Sequence, residues 1–193
     1  VGMGFLNLYG ILPVERFVDL ITDYYEEAFL GDYDSLVKIL NQSPLIKVYR
    51  YVDTHGDYLL SPCVSDADDL FQLREEIGFE NEPYKTFTVE EAREAGSGAP
   101  YFTVGLKTPE GRSLTEALKR IGYDGFDLVK AQHDIWAEAQ VPFGNESLFG
   151  PLRDRDESIA SDSLYETCVH AIIDYANTVP KWALNGFSAM EKD

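Results

Sequence analysis

The chain has little of what most functional signatures require. Bases are scarce, with 16 Lys and Arg against 34 Asp and Glu in 193 residues, a formal charge of -18 and a pI near 4.4. A field of that sign repels phosphate backbones and anionic lipid headgroups, which argues against a groove that tracks DNA or RNA and against adsorption to a membrane surface. Cysteine is limited to Cys63 and Cys168, too few for a disulfide framework and without metal-site spacing. Both lie in apolar stretches and read as buried free thiols suited to a reducing cytoplasm. No run of eighteen apolar residues is present, and the opening Val1-Gly2-Met3-Gly4 has neither the basic region nor the cleavage pattern of a signal peptide. The phosphate loop ending in Gly-Lys-Ser/Thr, the dinucleotide fingerprint, the paired-histidine zinc helix and the nucleophile elbow are all missing. Three histidines remain. His55 sits in a turn, His133 reads as a loop residue, and His170 lies on the last helix; a three-histidine metal site is not supported.

What the chain does have is apolar mass and segregated acid. Hydrophobic residues make up 45% and aromatic residues 13%, enough for a sizeable core and too much for intrinsic disorder. The length fits one domain over 1–193. Within it, residues 1–44 form a helical region, 45–143 a sheet core, and 144–193 a loop with a closing helix. Residues 53–94 hold 12 acids and 3 bases, and residues 15–34 hold 7 and 1. These clusters read either as a solubilising surface or as an acidic face that docks on a basic partner protein, as an inhibitor or DNA mimic would.

Periodicity orders the elements. Pro13 opens a helical stretch running toward Gly31, and a second helix covers Asp34–Leu40. Residues 45–52 are β-branched and aromatic and read as a strand, with a second strand at Tyr58–Val64 after the His55-Gly56-Asp57 turn. Ser65 is placed to cap a helix through Ile77, and Val89–Ala95 has a short helical pattern. Further strands are expected at Tyr101–Leu106, Phe126–Val129 and Ile135–Val141. A capping box at Ser113–Glu116 opens a helix through Ile121, and a helix runs from about Ser161 to Asn177 with Leu164, Cys168, Ala171, Ile172 and Tyr175 facing inward. The order suits an α+β fold with mixed or antiparallel sheets.

Three features offer chemistry. Arg50 stands within the apolar run Val48-Tyr49-Arg50-Tyr51-Val52, either as a grip for a phosphate or carboxylate or as an edge-strand arginine paired with an acid. Ser61 and Ser65, in Leu59-Leu60-Ser61-Pro62-Cys63-Val64-Ser65, precede a helix and can orient a ribose or a carboxylate; a plain helix cap is the simpler role for Ser65. Glu138, in Ile135-Trp136-Ala137-Glu138-Ala139-Gln140-Val141, would sit partly desolvated beside Trp136, or else on the surface.

In that order the three features resemble the ADP-ribosyltransferase family: a helical region, a strand with an arginine, a strand with serines entering a helix, and a late strand with a catalytic glutamate. The Gly122-Tyr123-Asp124-Gly125-Phe126 stretch adds to the likeness, which spans residues 45–143. The sequence departs from the family at Ser61-Pro62-Cys63, where Ser-Thr-Ser is usual, and at Trp136, where arginine-modifying members carry Glu or Gln. The resemblance implies transfer of ADP-ribose from NAD to a macromolecular target. Arg50 would bind the NAD phosphates or ribose, Ser61 or Ser65 would position the glutamate, and Glu138 would hold the ribose hydroxyl as positive charge develops. Tyr58, Tyr84 or Phe102 would clamp the nicotinamide.

Overall fold

Five helices begin where a short polar side chain can take up an otherwise orphaned backbone N–H. Asp32 accepts from Ser35 N and opens α3 (Tyr33–Leu40). Asp66 accepts from Asp68 N and Asp69 N and opens α4 (Ala67–Glu76). Thr88 forms a reciprocal capping box with Glu91 at α5 (Val89–Ala95). Thr108 accepts from Gly111 N ahead of Pro109 at α6 (Pro109–Arg120), and Ser161 accepts from Leu164 N at α9 (Asp162–Thr178). The other α-helices among the described residues are α1 (Gly2–Tyr9), α2 (Val14–Tyr25), α7 (Gly125–Glu138) and α8 (Gly150–Asp154). Strands β1 (Ile11–Pro13), β2 (Tyr49–Val52) and β3 (Asp57–Leu60) form an antiparallel sheet in the order β1-β3-β2. This computed structural model describes residues 1–25, 32–42, 47–54, 56–140 and 146–192, and over them the fold is α+β and mostly helical. None of the described helices is long and apolar enough to cross a membrane.

The chain divides into two compact units. Unit 1 comprises Val1–Phe102 together with Trp182–Gly186, and unit 2 comprises Thr103–Lys181 with Phe187–Asp193.

In unit 1, α1 is apolar on all sides and correspondingly buried from Gly4 to Tyr9. It meets α5 at backbone distance: a Cβ on Gly4 would fall 1.5 Å from Ala92 O, so only glycine permits the crossing. Asn7 Nδ2 donates to Ala95 O at 2.7 Å across the same contact. The sheet register pairs Ile11 with Leu60 and Arg50 with Leu59. Leu12 and Leu59, paired across the strands on one face, and Ile11 on the other are all fully buried.

Polar groups do much of the stitching here. Arg74, 3% exposed, donates to Tyr9 O at 3.0 Å and to Trp182 O at 2.8 Å. The Trp182 indole N–H donates to Asn7 O at 2.8 Å, and Asn185 Nδ2 donates to Phe79 O and Glu82 O. These bonds fasten the 182–186 segment into unit 1.

Unit 2 is built of helices. Leu114, Ala117 and Leu118 of α6, Ala131, Ile135 and Trp136 of α7, and Cys168, Ala171, Ile172 and Tyr175 of α9 are buried, and α6 packs on α9. The Tyr175 hydroxyl donates to Val104 O at 2.6 Å, and burial raises its pKa well beyond the ordinary tyrosine range.

Several sequence expectations are corrected. The two strands at Phe126–Val129 and Ile135–Val141 are one helix, α7; Val141 lies outside the described residues. Ala131, Ile135, Trp136 and Ala139 are the buried set, a helical spacing that outweighs the β-prone Phe126, Val129 and Ile135. His133 is therefore a helix residue. Tyr101–Leu106 forms no strand, although Phe102 and Val104 are buried. Thr108 and Pro109 start α6, which places Ser113 inside the helix, and Asp66 rather than Ser65 caps α4. Pro13 ends β1, and α2 begins after it. The strands read at 45–52 and 58–64 shorten to Tyr49–Val52 and Asp57–Leu60, with residues 45 and 46 and His55 outside the described residues. The helices at 34–40, 89–95 and 161–177 stand where the spacing places them. Both cysteines are free; Cys168 is buried and Cys63 half-buried.

Candidate functional site

Arg50 lies on β2, an edge of the sheet. Its Nη2 reaches Asp57 Oδ2 on β3 at 2.8 Å, and its Nη1 reaches Asp34 Oδ1 on α3 at 2.9 Å. Asp57 and then Asp34 hold the guanidinium pKa above its usual value. Two carboxylates thus hold the arginine that was a candidate phosphate grip, which is the paired edge-strand role. Ser61, fully buried just after β3, donates its hydroxyl to Asn7 Oδ1 at 2.8 Å and accepts from Cys63 N. Burial pushes the neighbouring Cys63 thiol up to about 11, which leaves it protonated and unreactive at neutral pH. Ser65 is exposed. Arg50, Ser61 and Ser65 belong to unit 1, and Glu138, the half-buried last residue of α7, belongs to unit 2. The Gly122–Phe126 stretch joins α6 to α7 and leads into a helix where the resemblance expects a strand.

Of the aromatic candidates, Phe102 is fully buried, and Tyr84 packs edge-on to Tyr9 at 5.5 Å. Tyr58 packs on Phe71 at 4.8 Å beside Tyr51, at 6.4 Å. The Tyr51 hydroxyl bonds the Asp68 carboxylate, which raises its pKa to about 12. A half-buried aromatic cluster (Tyr51, Tyr58, Phe71) thus borders the N-terminal turn of α4, where Asp66, Asp68 and Asp69 are exposed.

The charge balance on this side is more lopsided than composition alone indicates. Between residues 66 and 91, nine carboxylates are exposed: Asp66, Asp68, Asp69, Glu75, Glu76, Glu80, Glu82, Glu90 and Glu91. Arg74, a base in their midst, points into the core and donates to the Tyr9 and Trp182 carbonyls and to the Tyr84 hydroxyl, with its pKa lowered by burial. Lys85 is half-buried, and Arg93 pairs with Glu90. Arg74 is not among the residues that the sequence singles out, although its place four residues after Leu70 puts it on the inward stripe.

Unit 2 contains a separate concave feature, a cleft of about 220 Å³ between α7 and α8. Asp127, Lys130 and Asp134 line it from one stripe of α7, and Tyr123, Asp154 and Arg155 complete it. Lys130 bonds Asp134 at 2.6 Å, and Arg155 reaches Asp127 at 3.3 Å while lying over the Tyr123 ring at 4.7 Å. Strands at Phe126–Val129 and Ile135–Val141 would hide this stripe, because its i, i+3, i+7 spacing faces one way only in a helix. Among the described residues, no group of three or more His, Cys, Asp or Glu is placed to hold a metal ion. Comparison with protein-family models, curated proteins and solved structures finds no match to this chain.

Proposed function

We propose that the chain is an acidic interaction protein whose α4 face, in unit 1, docks on a basic surface of a partner protein. The observation that carries this reading is the inward turn of Arg74. Nine carboxylates face water along 66–91 while the central base of the stretch is withdrawn, so the outward field is scarcely diluted. Clustered like charges repel one another and weaken the folded state, and a basic partner relieves that repulsion while the field speeds encounter. The half-buried Tyr51, Tyr58 and Phe71 beside the carboxylates supply apolar contact of the kind that interface cores use.

The test is titration calorimetry with protamine, an arginine-rich protein, at several salt concentrations. Neutralising Asp66, Asp68 and Asp69 together is expected to weaken binding about tenfold or more. Neutralising three exposed acids of unit 2, Glu157, Asp162 and Glu166, is expected to cost no more than about threefold. Equal losses from the two triple variants would reduce the acidic face to a solubilising surface.

The transferase reading keeps the arginine on a sheet strand and helices ahead of it, with transfer of ADP-ribose from NAD as its activity. It needs Arg50 to exchange two carboxylates for a phosphate, and it needs a glutamate that stands on a helix rather than a strand. Titration with millimolar NAD, with Arg50→Ala and Glu138→Gln beside the unmodified chain, decides it. Heat that Arg50→Ala abolishes would restore this reading, and no heat would remove it.

A further inference from the structure

We infer that the cleft between α7 and α8 receives one arginine or lysine side chain of the basic partner. This inference rests on the acidic-interaction reading but concerns a different place, in unit 2. Size is the first constraint. At about 220 Å³ the cleft falls below the roughly 300–1,000 Å³ of ordinary small-molecule pockets. It is too small for a dinucleotide and suits a single long side chain.

Charge is the second constraint. The lining holds three carboxylates, Asp127, Asp134 and Asp154, and two cations, Lys130 and Arg155. Lys130 is bonded to Asp134 and Arg155 to Asp127, whereas the Asp154 carboxylate has no ion pair or hydrogen bond among the described residues. An anion entering would have to break an existing pair against a strongly negative overall field, whereas a cation finds an uncommitted carboxylate.

Geometry is the third. The Tyr123 ring is fixed because its hydroxyl donates to Pro151 O at 3.1 Å, and it already carries one guanidinium, that of Arg155. The wall of the cleft thus already holds one guanidinium against an aromatic ring. Phe126, exposed and about a quarter turn around α7 from the acidic stripe, offers an apolar contact to the chain bearing the incoming side chain.

The experiment uses the full chain and a hexa-arginine peptide in low salt, followed by calorimetry and by amide chemical shifts. Asp154→Asn is expected to weaken binding five- to tenfold, and Glu166→Gln, on α9, to change it less than twofold. The largest shifts are expected at Tyr123, Asp127 and Asp154. Equal losses from the two variants would overturn the cleft assignment, as would shifts spread evenly over all acidic residues. A loss confined to neutralisation of Asp66, Asp68 and Asp69, with Asp154→Asn silent, would also remove the cleft while leaving the α4 docking face standing. No binding by the unmodified chain would remove both.

Discussion

The two units solve the same problem with different materials. Unit 2 closes its core with apolar side chains on three helices, and it buries few polar residues, among them Gln132, which bonds Thr115 on the neighbouring helix. Unit 1 buries Asn7, Ser61, Arg74 and Asn185, and hydrogen bonds from these four join segments that are far apart in the chain. A buried donor removed from such a network strands its acceptors without water, so the polar core of unit 1 is less tolerant of substitution than the apolar core of unit 2. Charge divides unevenly as well, with 19 acids and 7 bases in unit 1 against 15 and 9 in unit 2. The more acidic unit is also the one whose central cation is turned inward.

Each unit contains one tryptophan, Trp182 in unit 1 and Trp136 in unit 2, so single-tryptophan variants report on each separately. The largest effect is expected from Arg74→Met, which leaves Tyr9 O without its donor and Trp182 O with the Asn185 N–H at 3.3 Å. Unit 1 should lose about 2–3 kcal/mol, read from urea unfolding followed by Trp182 emission. A loss below about 1 kcal/mol would mean that the buried arginine does not hold the 182–186 segment.

The next effect is in pH and belongs to unit 2. Burial lowers the Lys181 pKa to about 8, and its ammonium group donates to Ala139 O. Above that value the folded lysine is neutral while the unfolded one still carries its proton up to about pH 10.4. The unfolded state then binds more protons, so stability rises with pH between about 8 and 10, by about 1–2 kcal/mol. Lys181→Met should flatten that rise in the Trp136 signal; an unchanged slope would assign it to another group.

Ser61→Ala should cost unit 1 about 1–2 kcal/mol by depriving Asn7 Oδ1 and Cys63 N of their partner. Gln132→Met, the matching change in unit 2, should cost less than about 1 kcal/mol, because Thr115 also donates its hydroxyl to Gly111 O and stays satisfied. Equal costs for these two substitutions would erase the proposed contrast.

Legibility followed the same division between local and distant causes. The helices α3, α5 and α9 were readable because their caps and apolar spacing are local, with Ser161 and the Cys168-Ala171-Ile172-Tyr175 face as the clearest case. The helix α7 was misread because Phe126, Val129, Ile135 and Trp136 favour strands in short windows; only the full fourteen residues show the helical stripe. The helix α1 has no polar face to set a period, since nearly all of it is buried. At the candidate site, Arg50 and its strand were legible, whereas its partner Asp34 is sixteen residues away. The partner of Ser61 is fifty-four residues away, beyond the reach of any local pattern.

The position of Trp182 in the chain has a consequence for biosynthesis. Translation delivers residues 182–186 after α6, α7, α8 and α9 of unit 2, although they complete unit 1. Until then Arg74 has no Trp182 carbonyl, Asn7 O has no indole donor, and the surface of Gly10 that the Trp182 ring covers is bare. A nascent chain stalled before residue 182 therefore lacks the closing segment of unit 1, although α6 to α9 of unit 2 have already been made.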